Sequence, residues 1–333
     1  VSAGAGLAVA VGLLTAVALL VTLLAGLWWF DRCDDEPVGT LVVAGGWGVL
    51  AAALVGLGSR HGPVFGQGWL EGGGAGSFLA GLALIALVGQ GLLAVGLALL
   101  AGRLDGPTDG LLVGCVAGLG WAVGNAAVSP TGALPAGVTP EGRALVTALT
   151  LVAAGVGANA LAAGTFGGFL GVGKLARRRG LRVLWVSGGL ALAVLADAGW
   201  RWSRDVVVAS GAGWPAGLLL VGVVVALGAL LVGVLLRTEG RVLAEELMEE
   251  LDWRVVPAWV VRTVPSYRCR VRGDWWPERR TRVVVARLLS RLALRKRSVR
   301  NLPPGAASLA ALEVGKLRSR TRAVLLPERG DED

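Results

Sequence analysis

The sequence predicts an all-α fold: a polytopic bundle of about seven transmembrane helices followed by a basic, partly helical tail. Three observations carry that prediction. Hydrophobic residues make up 54% of the 333 residues, mean hydropathy is +0.67 and 53 residues are glycine, a balance that soluble globular domains seldom reach. Long uncharged runs recur along the first 236 residues. Of the 32 Lys and Arg residues, 21 fall at or after Arg237.

The uncharged runs are 1–30, 38–59, 72–102, 110–140, 144–173, 183–196 and 206–236. A helix needs about 20 mostly apolar residues to cross a bilayer, so six runs qualify alone. The run from Val183 qualifies once Asp197 is included. The first run has no basic leader and no small-residue cleavage site before Trp28, and is expected to be a retained helix rather than a signal peptide. Residues 1–236 then form the bundle and 237–333 the tail. Cytoplasmic connections carry the Lys and Arg excess, which places the tail inside. Counting back through seven spans puts Lys174 to Arg182 (KLARRRGLR) inside as well. Only Arg60, Arg143, Arg201 and Arg204 fall in outer loops, and the N-terminus lies outside. The expected location is the cell membrane.

In the tail, RVLAEELMEEL (241–251) repeats leucine every four residues at Leu243, Leu247 and Leu251, with four glutamates elsewhere on the wheel, and reads as a surface helix leaving the membrane. RRTRVVVARLLSRLALRKR (279–297) sets Arg280, Arg287, Arg291 and Arg295 on one side and Val284, Leu288 and Leu292 on another. Beside a cytoplasmic leaflet such a helix is attracted to anionic lipid by about 1 kcal/mol per basic residue. The neighbouring spans favour lipid over nucleic acid as its partner, and no nucleic-acid role is expected. Packing on cytoplasmic loops is the plainer alternative.

Several short signatures carry no chemistry. GFLGVGK (168–174) has phosphate-loop spacing, but Leu175 stands where a magnesium-binding Ser or Thr belongs, and no strand precedes it. Ser59 and His61 are two residues apart and would not face each other on a helix. Asp197 is the one carboxylate placed clearly within a span, so no facing pair of carboxylates can form there. RGD (272–274) falls in the cytoplasmic tail. Cys33, Cys115 and Cys269 lack paired spacing. Gly110, Gly114 and Gly118, Gly120 and Gly124, and Gly167 and Gly171 recur every four residues, a spacing that lets membrane helices approach closely.

FDRCDDEPVGTLVVAGGWGVLAAA (30–53) resembles the acidic, proline-containing loop and following helix of PrsW-family intramembrane metalloproteases. LDGPTDGLLVGCVAGLGWAVGNA (104–126) is similar to that family's D-G-x-x-D-G helix, which continues as G-x-G-F-A-x-x-E-N and here reads GLGWAVGN, one residue shorter. NALAAGTFGGFLG (159–171) and LAVLADAGW (192–200) resemble its two histidine-bearing helices. EELMEELDWRVVPAWVVRTVPSYRCR (245–270) resembles its acidic helix and short basic segment.

The resemblance attributes chemistry to a glutamate pair with a lysine three residues later, a further glutamate and two histidines. Here the glutamate pair aligns with Gly89 and Gln90, and the lysine with Leu93. Trp121 takes the place of phenylalanine, Gly124 that of the further glutamate, and Asn125 keeps the asparagine. Asn159 and Asp197 stand for the histidines. A catalytic zinc needs about three protein ligands and an open position, and a general base must activate its water. These residues do not supply them. The expectation is a non-catalytic homologue with no cofactor that binds membrane-protein clients and restrains their processing. The alternative is a metallopeptidase that holds zinc through Asp197 and residues outside the family pattern. Gln90, Asn125, Asn159 and Asp197 would either converge on a polar pocket or act separately, with Asp197 beside Arg201 and Arg204 and the amides as interhelical glue.

Overall fold

A computed structural model describes residues 38–61, 75–128, 142–272, 275–276, 278–302 and 304–325, and the expected first span (1–30) lies outside the described residues. All regular structure among the described residues is helical. The helices are α1 (Val38–His61), α2 (Ala75–Leu100), α3 (Pro107–Val128), α4 (Gly142–Leu175), α5 (Arg179–Ser210), α6 (Gly213–Asp252), α7 (Ala258–Thr263), α8 (Tyr267–Arg272), α9 (Arg279–Val299) and α10 (Pro304–Leu325). Six of them, α1 to α6, are long and apolar enough to cross a membrane, and each overlaps one of the runs read from the sequence, although 206–210, read as the start of the last run, instead close α5. The phosphate-loop lookalike is simply the last two turns of α4.

Glycine sets the packing of the spans. One face of α3 carries Gly110, Gly114 and Gly118, which lie against the backbone of α4: a Cβ would fall 2.8 Å from the Gly167 carbonyl carbon, 2.9 Å from Gly164 Cα and 2.7 Å from the Asn159 carbonyl carbon. The order 110–167, 114–163 and 118–159 makes these two helices antiparallel. A second face of α3 carries Gly120 and Gly124, which meet Gly45 and Val49 of α1, and from α1 Gly48 reaches Ala117 and Trp121. Here the residue numbers rise together, so α1 and α3 run parallel. Contacts this close need a residue without a side chain on at least one partner. Accordingly α3 and α4 are the most enclosed spans, and α5 and α6 the least.

The remaining spans pack around this seam through larger side chains. On α2, Gly96 faces the Trp47 ring and Trp47 Nε1 donates to the Leu92 carbonyl at 2.8 Å. Phe169 of α4 meets Trp185 of α5 at 5.7 Å between centroids. The α5–α6 reversal uses Gly211 (φ 63°) and Gly213 (φ 67°), a left-handed conformation that glycine adopts without steric cost.

The sequence division at residue 236 falls inside α6, which runs unbroken for 40 residues. At 1.5 Å per residue that is about 60 Å, twice the hydrocarbon thickness of about 30 Å. The uncharged part ends at Leu236, and the charged end projects beyond it. There the reading of 241–251 as a surface helix needs correction. Leu243 and Leu247 are the centre of a second core with Val256, Val260, Val285, Leu289 and Leu294, drawn from α6, α7 and α9. Val284, placed on the apolar side of α9, is exposed, whereas Leu292 is buried. The tail is a folded helical unit.

The tail sits against the same end of the bundle as the 174–182 and 101–106 connections. Arg297 Nε donates to the Leu175 carbonyl at 3.2 Å and Asn301 Nδ2 to the Lys174 carbonyl at 3.1 Å, satisfying carbonyls that the last turn of α4 leaves free. Lys174 Nζ reaches back to the carbonyls of Ala101 and Leu104. The two basic segments that the sequence assigns to one side of the membrane are therefore on one side of the protein.

The seam makes a direct prediction. Gly118→Ala should lower stability by about 1–3 kcal/mol, the usual cost of overpacking. Gly222→Ala on α6, where a Cβ meets nothing within 4 Å, should change it by less than about 0.5 kcal/mol. Unfolding in mixed detergent micelles measures both, and equal midpoints for the two variants would contradict the packing.

Candidate functional site

The residues that the sequence singles out divide between two helical layers. Gly89, Leu93, Trp121 and Gly124 come together where α2, α3 and α1 meet. Trp121 and Leu93 are both 1% exposed and belong to one apolar cluster. A Cβ at Gly89 would stand 3.0 Å from the Trp121 ring, and one at Gly124 would stand 2.7 Å from Ala52 Cβ and 2.8 Å from the Val49 carbonyl oxygen. Both positions are therefore filled by neighbours. The indole of Trp121 occupies the space beside residue 89, and the backbone of α1 occupies the space beside residue 124.

The polar members stay apart in their bonding. Asp197 is buried on α5 and paired with Arg201 one turn later through two bonds, at 3.1 and 3.3 Å. Asn159 Nδ2 donates to the Gly155 carbonyl of its own helix at 2.8 Å. Gln90 is 2% exposed, and neither of its amide atoms finds a partner among the described residues. Asn125 is half-buried. Arg201, not an amide, partners Asp197, and the Asn159 bond stays within its own helix rather than joining two helices. Among the described residues no group of three or more His, Cys, Asp or Glu side chains is placed to hold a metal ion. Asp197, the one carboxylate among these residues, is engaged by a guanidinium.

A second polar assembly lies where the bundle meets the tail, and sequence reading missed it. In LDGPTDG, Asp109 is the third residue of α3, and its Oδ2 accepts the backbone N–H groups of Asp105 at 2.8 Å and Gly106 at 2.9 Å. A carboxylate in the first turn is favoured by the helix dipole, so this motif works here as a helix cap. Next to it Thr108 donates to Glu239 of α6. Arg270 of α8 binds Glu239 Oε1 at 2.9 and 3.0 Å and Ser290 of α9 at 2.6 Å. Both charged partners are almost fully buried. The visible signal is a charge directly after an apolar span, at Glu239, but its partner is 31 residues away.

Deeper in the tail, four glutamates of α6 meet four basic residues. Lys296 lies 2.8 Å from Glu250 and 2.9 Å from Glu249; Arg297 lies 3.0 Å from Glu246 and 3.1 Å from Glu245. Arg318 of α10 holds Glu250 through both carboxylate oxygens, at 2.7 and 2.9 Å. Arg300 bonds Glu249, which pushes its guanidinium above the ordinary range, and partial burial works the other way. Glu246 and Glu250 are wholly buried, which is tolerable only because each is paired. The arginines expected to face lipid are partly committed too. Arg295 binds Glu313 at 2.7 Å, and Arg291 lies 3.5 Å from Asp105. Arg287 is half-buried and engaged, and Arg280 lies in the first turn of α9.

Removing one member of a buried pair leaves the other charge unpaired, at a cost of about 3–5 kcal/mol. Arg270→Met should destabilise the tail by that amount. Adding Glu239→Gln should restore most of it, as measured by hydrogen exchange of α8 and α9 in detergent. A double variant no better than the single one would refute the coupling.

Set against models of known protein families, curated proteins and solved structures, the chain matches none of them.

Proposed function

We propose that this protein is a non-catalytic membrane scaffold, a divergent relative of PrsW-type proteases that binds membrane-protein clients through its spans. Its N-terminus lies outside and its tail in the cytoplasm. The observation that carries the reading is the packing at Gly89 and Gly124. Where the resemblance would have a carboxylate, the Trp121 indole and the α1 backbone fill the space. A glutamate at 124 would have to push α1 away from α3, and one at 89 would have to displace the Trp121 ring, so these residues support a closed scaffold rather than the open metal position a hydrolase needs.

Clients are offered the apolar faces of α5 and α6. Leu195, Leu219, Val225 and Leu230 are all more than half exposed to the surroundings of the bundle. Within a bilayer such a face is covered by lipid or by another helix, and association there is driven by packing rather than by the hydrophobic effect.

Two measurements test this. Photo-crosslinking residues introduced at Leu195 and Val225 in native membranes should yield discrete protein adducts, and adducts to lipid alone would remove the client role. Tag-free protein dialysed against trace zinc should retain close to none by inductively coupled plasma mass spectrometry, whereas one zinc per chain would restore the metallopeptidase reading.

A further inference from the structure

The tail carries an aromatic cluster that neither the scaffold reading nor the ion-pair networks use. Trp259 on α7 packs with Trp275 at 5.8 Å and Trp276 at 6.1 Å between centroids, and those two rings are 6.2 Å apart. Trp275 and Trp276 back onto the tail core, and Trp275 Nε1 donates to the Cys269 carbonyl at 2.9 Å. Trp259 forms the outer side and remains 39% exposed. Arg262, one turn after Trp259 on the same short helix, is exposed, as is Arg268 on α8.

The level of this cluster is fixed by its neighbours. Arg270 is bound to Glu239, and the Pro265 carbonyl oxygen lies against Gly240, 2.6 Å from where a Cβ would be. Glu239 and Gly240 are three and four residues past Leu236, the last of the uncharged run, or about 6 Å along α6. The chain that leaves α6 at Asp252 therefore folds back, and α7, α8 and the tryptophans return to the boundary of the apolar spans. Trp253 provides the contrast. It is 67% exposed, but it lies at the far end of α6 with Arg318 stacked 4.4 Å over its ring.

We infer that Trp259, Trp275 and Trp276, with Arg262 and Arg268, form an interfacial anchor that holds the tail against the headgroup layer of the adjoining leaflet, with anionic lipid as its ligand. Tryptophan is favoured at this depth because an apolar body joins a polar N–H. Arginine extends from the same surface toward anionic headgroups. The anchor, not the Arg291 and Arg295 side of α9, makes the lipid contact, because those two arginines face Asp105 and Glu313. The inference rests on α1 to α6 spanning the membrane and is independent of the scaffold role.

Spin-label accessibility tests it on the full chain. Labels are placed through Trp259→Cys, Arg262→Cys or Trp253→Cys, each with Cys33→Ser and Cys269→Ser and with buried Cys115 kept, in nanodiscs of phosphatidylcholine and phosphatidylglycerol. At 259 and 262 the ratio of collision with oxygen to collision with a water-soluble nickel chelate should be several-fold higher than at 253. It should fall at both positions when phosphatidylglycerol is omitted. Arg262→Cys preserves the aromatic cluster, so the test stands even if loss of Trp259 perturbs it. Equal ratios at 253, 259 and 262, protection from both oxygen and nickel, or no response to phosphatidylglycerol would overturn the anchor.

Discussion

Backbone-to-backbone contact along two faces of α3 is the constraint on which the rest of the structure depends. With Gly110, Gly114 and Gly118 against α4, and Gly120 and Gly124 against α1, the three helices are held at a separation that no side chain would permit. Lipid tails offer apolar surface as readily as another helix does, so close van der Waals contact and not hydrophobicity must hold membrane helices together. The seam supplies it twice on one helix. Once α1, α3 and α4 are fixed, larger side chains at the α2 and α5 contacts, such as Trp47 at Gly96 and Phe169 at Gly189, fill what remains. The packing that makes the bundle also closes the positions at 89 and 124, so stability and the closed candidate site have one cause.

The second organising element is α6, one continuous helix in two solvents. Its first half is apolar around its circumference, as a span must be. Its second half buries leucines on one side and glutamates on another. Those glutamates are shared among Lys296, Arg297, Arg300 and Arg318 from α9, the following turn and α10. Buried pairs of this kind add little net stability, because desolvation offsets attraction. They do penalise every arrangement that leaves one member alone. The tail is thereby held in register with α6, and through Glu239, Arg270 and Thr108 with the first turn of α3. Mechanical continuity between spans and tail follows from α6 itself, from these bonds and from Leu175 at the end of α4, which packs in the tail's apolar core.

Much of this is legible in the chain itself, and the misreadings have definite reasons. Every described span overlaps an uncharged run, because bilayer crossing depends on composition over about 20 residues and composition is local. The glycine intervals likewise announce close packing. They cannot name the partner, since a four-residue repeat fits any facing helix. The 241–251 segment reads wrongly as a surface helix because interspersed leucine and glutamate is what a solvated amphipathic helix looks like. Nothing within that segment shows that cations 46 to 68 residues from Glu250 will cover it. Asp109 escapes notice for a different reason. It accepts from backbone groups of its own loop, a role that depends on where α3 begins.

At the candidate site the division between sequence and structure is sharp. Residue identity alone shows that positions 89, 90, 93, 124 and 159 offer no carboxylate or imidazole, because side-chain chemistry is intrinsic to each residue. The sequence therefore determined the class of fold, the location of each described span and the concentration of positive charge in the tail. Only the tertiary structure decided that Trp121 and α1 fill the space at 89 and 124, that Asp197 pairs with Arg201, and that the acidic end of α6 is a core. Each of these is a choice among competing partners, most of them distant in the chain. Such choices are made by the shape and charge of whole surfaces, which exist only after the helices have packed.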